Sequence, residues 1–263
     1  MNLFRARSRD LLFLIVILIL ASFSKPEQPD PNFHLYLLVG QSNMAGRGTL
    51  TAEYRNLSQP NVMMLNKDGK WVEASHPLHF DKPARAGAGP GLMFGLEMAK
   101  ANPSVRIGLI PCAVGGTAIE SWEPGAMDSV TRKYPYDDAI ARLRLAMKSG
   151  VIKGIIWHQG EANSRPERAA GYLEKLETLI GRLRENAQDK NLPFVAGELG
   201  RYRDTYQLVN DQLRLLPEKV KRTALASSEG LVHKGDKTHF DAASATELGK
   251  RFATQMIHLQ QNK

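Results

Sequence analysis

The spacing of apolar residues constrains the fold of this chain more than any other feature. Six short runs, at 33–39, 61–65, 105–113, 151–158, 194–199 and 223–227, are rich in apolar and β-branched residues and lack a regular polar alternation. A strand that is apolar on both sides must be covered on both faces, as in a parallel sheet held between two layers of helices. The stretches between these runs carry the complementary signal. Residues 91–101 form one candidate helix, and 137–148 another, with Ile140, Leu143 and Met147 on one face. Residues 166–186 carry Ala169, Leu173, Leu176, Ile180 and Leu183 at spacings of three and four, and Ala245, Leu248, Phe252, Met256 and Leu259 make the stripe of a last helix. Alternating strands and amphipathic helices predict an α/β domain with a mostly parallel sheet, whose functional groups collect at the carboxyl ends of the strands.

Residues 1–24 stand outside this pattern. Arg5, Arg7 and Arg9 precede an unbroken apolar run from Leu11 to Ala21, followed by Ser22, Phe23 and Ser24. That is the layout of a secretory signal peptide, and the run is shorter than the roughly 20 apolar residues a bilayer span needs. Cleavage after Ser24 is expected, with an uncleaved anchor as the alternative; either places the rest of the chain in the periplasm or outside the cell. Residues 25–32, with Pro26, Pro29 and Pro31, read as an extended linker, leaving 33–263 as one domain. Cys112 is the only cysteine, so no internal disulfide can form, and its apolar neighbours make it a small buried hydrophobe. The net charge is +8, of which the first 24 residues supply +2. No dense basic stripe interleaved with aromatics accompanies it, so a nucleic-acid partner gains no support.

Four constellations at strand ends carry the chemistry. Gly40-Gln41-Ser42-Asn43-Met44-Ala45-Gly46 follows the first strand and presents a serine above the sheet edge, although Met44 departs from a Gly-x-Ser-x-Gly elbow. Gly115-Gly116-Thr117 lets the backbone bend so that an N–H can face a ligand, with Trp122 nearby as a sugar-stacking wall or a core aromatic. Trp157-His158-Gln159-Gly160-Glu161-Ala162-Asn163 ends an apolar strand in polar groups, where the Gln159 amide can donate to an oxyanion and Glu161 can brace the loop or touch substrate. Asp236-Lys237-Thr238-His239 places a carboxylate three residues ahead of an imidazole, a spacing that lets Asp236 accept from one ring nitrogen while the other takes a proton from serine. His158 and His233 are rival bases with less favourable surroundings.

Taken together, these motifs resemble those of the SGNH hydrolase superfamily and, within it, the sialate O-acetylesterase-like group that includes carbohydrate esterase family 6. The resemblance implies a three-layer α/β/α flavodoxin-like fold and hydrolysis without metal or cofactor. It implies a triad of Ser42, His239 and Asp236, with oxyanion donors at the Ser42 N–H, the Gly116 N–H and the Gln159 amide. The wider superfamily has Asn at the third position, so Gln159 departs from it while agreeing with this branch. Asn43, Glu161 and Trp122 are candidates for substrate binding or site support.

The expected function is an exported serine esterase that removes O-acetyl groups from a carbohydrate, acetyl xylan or sialate in type, through an acyl-enzyme. A non-catalytic glycan-binding module and a short-chain lipid or thioester hydrolase are the alternatives. Loops 49–59, 75–89 and 121–135 decide the sugar; Arg47, Arg85 and Arg132 within reach of them read as solvated charges that an anionic sugar could also meet.

Overall fold

The computed structural model describes residues 28–262. Its strands are β1 (Asp30–Gly40), β2 (Val62–Leu65), β3 (Trp71–Glu73), β4 (Arg106–Pro111), β5 (Gly150–His158), β6 (Phe194–Gly197) and β7 (Thr223–Ala226). They pair in the order β3-β2-β4-β1-β5-β6-β7, and every neighbouring pair is parallel except the β2–β3 hairpin at the edge. The helices are α1 (Ser42–Ala45), α2 (Ala52–Arg55), α3 (Pro90–Ala101), α4 (Pro135–Ala146), α5 (Pro166–Ala169), α6 (Tyr172–Asn186), α7 (Gln207–Arg214), α8 (Leu216–Lys219) and α9 (Ala242–Gln261).

The two-residue period of a strand sorts β1 between two cores. Phe33, Leu35, Leu37 and Val39 pack with residues of α4, α6, α7 and α8. Tyr36 and Leu38 face the other way and join α1, α3 and α9. The result is the three-layer α/β/α arrangement that the apolar pattern and the resemblance lead one to expect. Helix ends follow from local chemistry: Pro90 and Pro135 occupy first-turn positions where their missing N–H costs nothing, and the Asp241 side chain caps α9 by accepting from the Ser244 N–H at 2.7 Å. Cys112 is buried, and that burial pushes its thiol up to about 12.

The structure departs from the sequence pattern in four places. β1 starts at Asp30, inside the segment read as linker, because the Asp30 N–H reaches the Ser149 carbonyl at 3.1 Å and its carboxylate takes Arg106 at 3.1 Å. Pro31 is tolerated there because the β1–β5 register is irregular between Asp30 and His34. The helix expected over 166–186 is two: Gly171 adopts φ −111° and ψ 20°, away from helical values, and separates α5 from α6. β3, α2, α7 and α8 have no counterpart in the apolar pattern. The leader assigned to residues 1–24 lies outside the described residues; among those described, no helix is long and apolar enough to cross a membrane.

Candidate active site

The carboxyl ends of β1, β4 and β5, three adjacent strands at the centre of the sheet, converge on one edge. The β1 chain continues from Gly40 into Gln41, whose N–H is fastened to the His158 carbonyl at the end of β5 at 2.9 Å. Ser42 then opens α1 with its side chain nearly buried.

Its partner arrives from the loop between β7 and α9. His239 Nε2 lies 3.0 Å from Ser42 Oγ, and His239 Nδ1 lies 2.8 Å from Asp236 Oδ2. The other carboxylate oxygen, Oδ1, accepts the backbone N–H groups of Thr238 at 2.9 Å and His239 at 2.8 Å. Partial burial works against the charged form of Asp236, but hydrogen bonds from the His239 N–H, the His239 ring and the Thr238 N–H outweigh it and hold the carboxyl at about 2. Asp236 is therefore an anion at neutral pH. An anion can only accept, so in the neutral form of the ring Nδ1 carries the proton and Nε2 has the lone pair that faces the serine hydroxyl.

Asn43 ties this loop to the nucleophile. Its Nδ2 donates to Glu161 Oε1 at 2.5 Å and to the Thr238 carbonyl at 3.0 Å, while its Oδ1 accepts the Phe240 N–H at 3.0 Å. Tyr202 adds a second strap, its hydroxyl donating to the same Thr238 carbonyl at 3.0 Å. Asn43 and Glu161 are thus supports of the triad and line no part of the cleft. The rival histidines have other duties. His158 is fully buried, with Nε2 3.0 Å from the Glu198 carbonyl, and burial lowers its pKa so that it stays neutral and remote from solvent. His233 accepts the N–H groups of Gly235 at 2.9 Å and Lys237 at 3.2 Å, which shapes the turn that carries Asp236.

Beside Ser42 runs the Gly115–Gly116 turn after β4. Asp81 Oδ2 receives the Gly115 N–H at 2.8 Å and Arg47 Nη2 at 2.7 Å, and Lys82 Nζ donates to the Gly115 carbonyl at 2.8 Å. Burial opposes the charge of Asp81, yet the buried Arg47 guanidinium beside it holds its carboxyl below the ordinary value. A Cβ at position 115 would come within 2.5 Å of Arg47 Nη2, and Gly116 adopts φ +93°, so the turn requires both glycines. The Ser42 and Gly116 N–H groups have no hydrogen-bond partner among the described residues.

Gln159 does not join them. Its side chain is fully buried, with Nε2 2.8 Å from Asn163 Oδ1, 3.1 Å from the Thr117 carbonyl and 3.2 Å from Gln41 Oε1, while Oε1 accepts from the Tyr172 hydroxyl at 3.0 Å. Two amide protons facing three acceptors leave none for an oxyanion. The expected third donor is instead a knot that holds the loops after β1, β4 and β5 together. Gln159→Ala should accordingly lower unfolding free energy in urea by about 2 to 4 kcal/mol, through a cavity and orphaned polar partners. A drop in kcat with unchanged stability would return Gln159 to the oxyanion hole.

Trp122 is likewise structural. It is buried, packs edge-on against Trp157 at 5.2 Å and donates to Thr117 Oγ1 at 3.2 Å, so it cannot stack on a sugar. The cleft over the triad has a volume of about 730 Å³ and is lined by Ser42, Gly115, Gly116, Asp236 and His239 together with Thr49, Leu50 and Arg55 from one loop and Lys82, Ala84 and Arg85 from another. Loop 121–135 does not reach it, nor does Arg132, and Arg47 is a buried ion pair rather than a solvated charge. Among the described residues, no group of His, Cys, Asp and Glu is placed to hold a metal ion. Asp81, Lys82 and Tyr202 carry no signal in the sequence, because their partners lie 33 to 36 positions away and leave no local motif.

A parallel sheet between helix layers, with a Ser-His-Asp chain at the carboxyl edge of its central strands, is the architecture of a serine hydrolase. The family described as "Carbohydrate esterase, sialic acid-specific acetylesterase" matches residues 32–258, and this chain belongs to it. A probable carbohydrate esterase of Arabidopsis thaliana is 31% identical over 253 residues, covering 87% of this chain and 93% of the plant protein. The X-ray structure of an Arabidopsis protein superposes with a TM-score of 0.76 at 29% identity, covering 87% of this chain and 99% of the other. The fold is shared with NanS (TM-score 0.71, 15% identity, 90% and 99% covered) and with a carbohydrate acetylesterase from Xanthomonas citri (0.68, 21%, 87% and 56%). The chain is accordingly a carboxylic ester hydrolase of the carbohydrate esterases.

Proposed function

We propose that this enzyme is an exported serine esterase that removes O-acetyl groups from an anionic sugar through an acetyl-enzyme. The observation that carries the chemistry is the unbroken relay from Ser42 Oγ through His239 to Asp236, with two unpartnered N–H groups beside it. Ser42 Oγ attacks the acetyl carbonyl as His239 Nε2 takes its proton, and the tetrahedral oxyanion meets the N–H groups of Ser42 and Gly116. Each such donor is worth about 3 to 4 kcal/mol of barrier. His239 then returns the proton to the departing sugar oxygen, leaving acetyl-Ser42. A water activated by the same nitrogen releases acetate and restores the serine.

Arg55 and Arg85 in the cleft lining favour a carboxylate-bearing sugar over a neutral xylan unit, in keeping with the family description. Export rests on the basic and apolar layout of residues 1–24. In a series of p-nitrophenyl esters, turnover should be highest for acetate and fall as the acyl chain lengthens, and acetate release from O-acetylated sialic acid should exceed that from acetylated xylo-oligosaccharides. Preference for long acyl chains would favour a lipid or thioester hydrolase; equal or greater release from xylo-oligosaccharides would remove the anionic sugar from the assignment.

A further inference from the structure

With Gln159 committed elsewhere, the orientation of the Gly115–Gly116 peptide matters more than the sequence suggests. The Gly115 carbonyl and the Gly116 N–H are two ends of one planar trans unit and point in opposite directions. Fixing either end therefore aims the other. The N–H end is unpartnered beside Ser42, and the carbonyl end receives Lys82 Nζ at 2.8 Å. The peptide unit before it is fixed as well, by the Gly115 N–H on Asp81. Two consecutive glycines leave that plane free to flip, which would present a carbonyl oxygen where an oxyanion must bind.

The charge is as telling as the contact. Asp81 is already matched by Arg47, and no carboxylate lies within 4.0 Å of Lys82 Nζ among the described residues. Its one hydrogen bond among the described residues is to this peptide, and a Cβ built on Gly116 would lie only 3.8 Å from its Nζ. A cation bound to the carbonyl draws electrons along the amide and strengthens the N–H at the far end as a donor.

We propose that Lys82 is a positioning residue of acetyl transfer: its ammonium locks the Gly115–Gly116 peptide with the Gly116 N–H turned toward the oxyanion and strengthens that donor as charge develops. The role rests on the serine esterase reading above. It acts on the transition state and not on the sugar, so an uncharged ester reveals it.

The test is Lys82→Met, with Lys82→Gln as a second neutral variant and Lys82→Arg as the charge-conserving one, each assayed with p-nitrophenyl acetate and unfolded in urea. The neutral variants should lose about 10- to 100-fold in kcat with KM within about twofold and an unchanged urea midpoint, while Lys82→Arg stays within about threefold of the parent. Unchanged kcat on p-nitrophenyl acetate, with KM raised only for O-acetylated sialic acid, would make Lys82 a sugar contact and overturn the proposal. An equal loss in Lys82→Arg, with a lowered urea midpoint, would reduce it to a structural bond and overturn it too. Full activity of Ser42→Ala on the same ester would sink the esterase reading itself, an outcome separate from either of these.

Discussion

Ser42→Ala should reduce kcat for acetyl ester hydrolysis by about 10⁵- to 10⁶-fold, the loss met when a triad nucleophile is removed while binding and oxyanion donors remain. The substitution deletes a single oxygen whose hydrogen bond is to His239, so the variant should fold like the parent and keep its affinity for glycans. Mass spectrometry after treatment with a fluorophosphonate should find the label on Ser42 in the parent and none in the variant. Unchanged turnover, or labelling of another serine, would remove Ser42 from the mechanism. If the parent itself resists the probe but binds glycans, the site is a binding module on a hydrolase scaffold.

The second large effect is expected at the base. His239→Ala should cost about 10⁴- to 10⁶-fold in kcat, because an unassisted serine hydroxyl at its ordinary acidity is a poor nucleophile. His233→Ala should stay within about tenfold, since it deprives only two backbone N–H groups of an acceptor in an exposed turn. The two histidines stand six residues apart and share one loop, so the contrast between them separates chemistry from loop support. Equal losses would mean that Asp236 is misplaced whenever the turn is disturbed, and His239 would lose its special standing.

The layered sheet was legible because two-sided burial of a strand and one-sided burial of a helix leave different periods in the chain, as β1 and α9 show. The Asp236–His239 pair was legible for a similar reason: both its partners sit on one turn, and three residues suffice to fold the carboxylate back. Gln159 was not. Its residue type suits an oxyanion donor, but where its amide points is decided by Gln41, Thr117 and Asn163, which three different loops supply. Lys82 was invisible for the same cause, its only marker being a carbonyl 33 positions away. The division of 166–186 into α5 and α6 turned on Gly171, whose conformation a stripe of apolar positions does not register. Local chemistry reads out of the sequence; a direction fixed by several distant segments does not.

Asn43 and Ser42 sit near the beginning of the domain, whereas Thr238, His239 and Phe240 sit near its end, and 197 positions separate the nucleophile from its base. A growing or partly refolded chain holds the serine from the outset, without the imidazole that makes it reactive. Loop closure over such a distance is among the slower events of folding. Reactivity at Ser42 therefore depends on a contact between the two ends of the domain, and a chain that has not closed it carries a serine without its base.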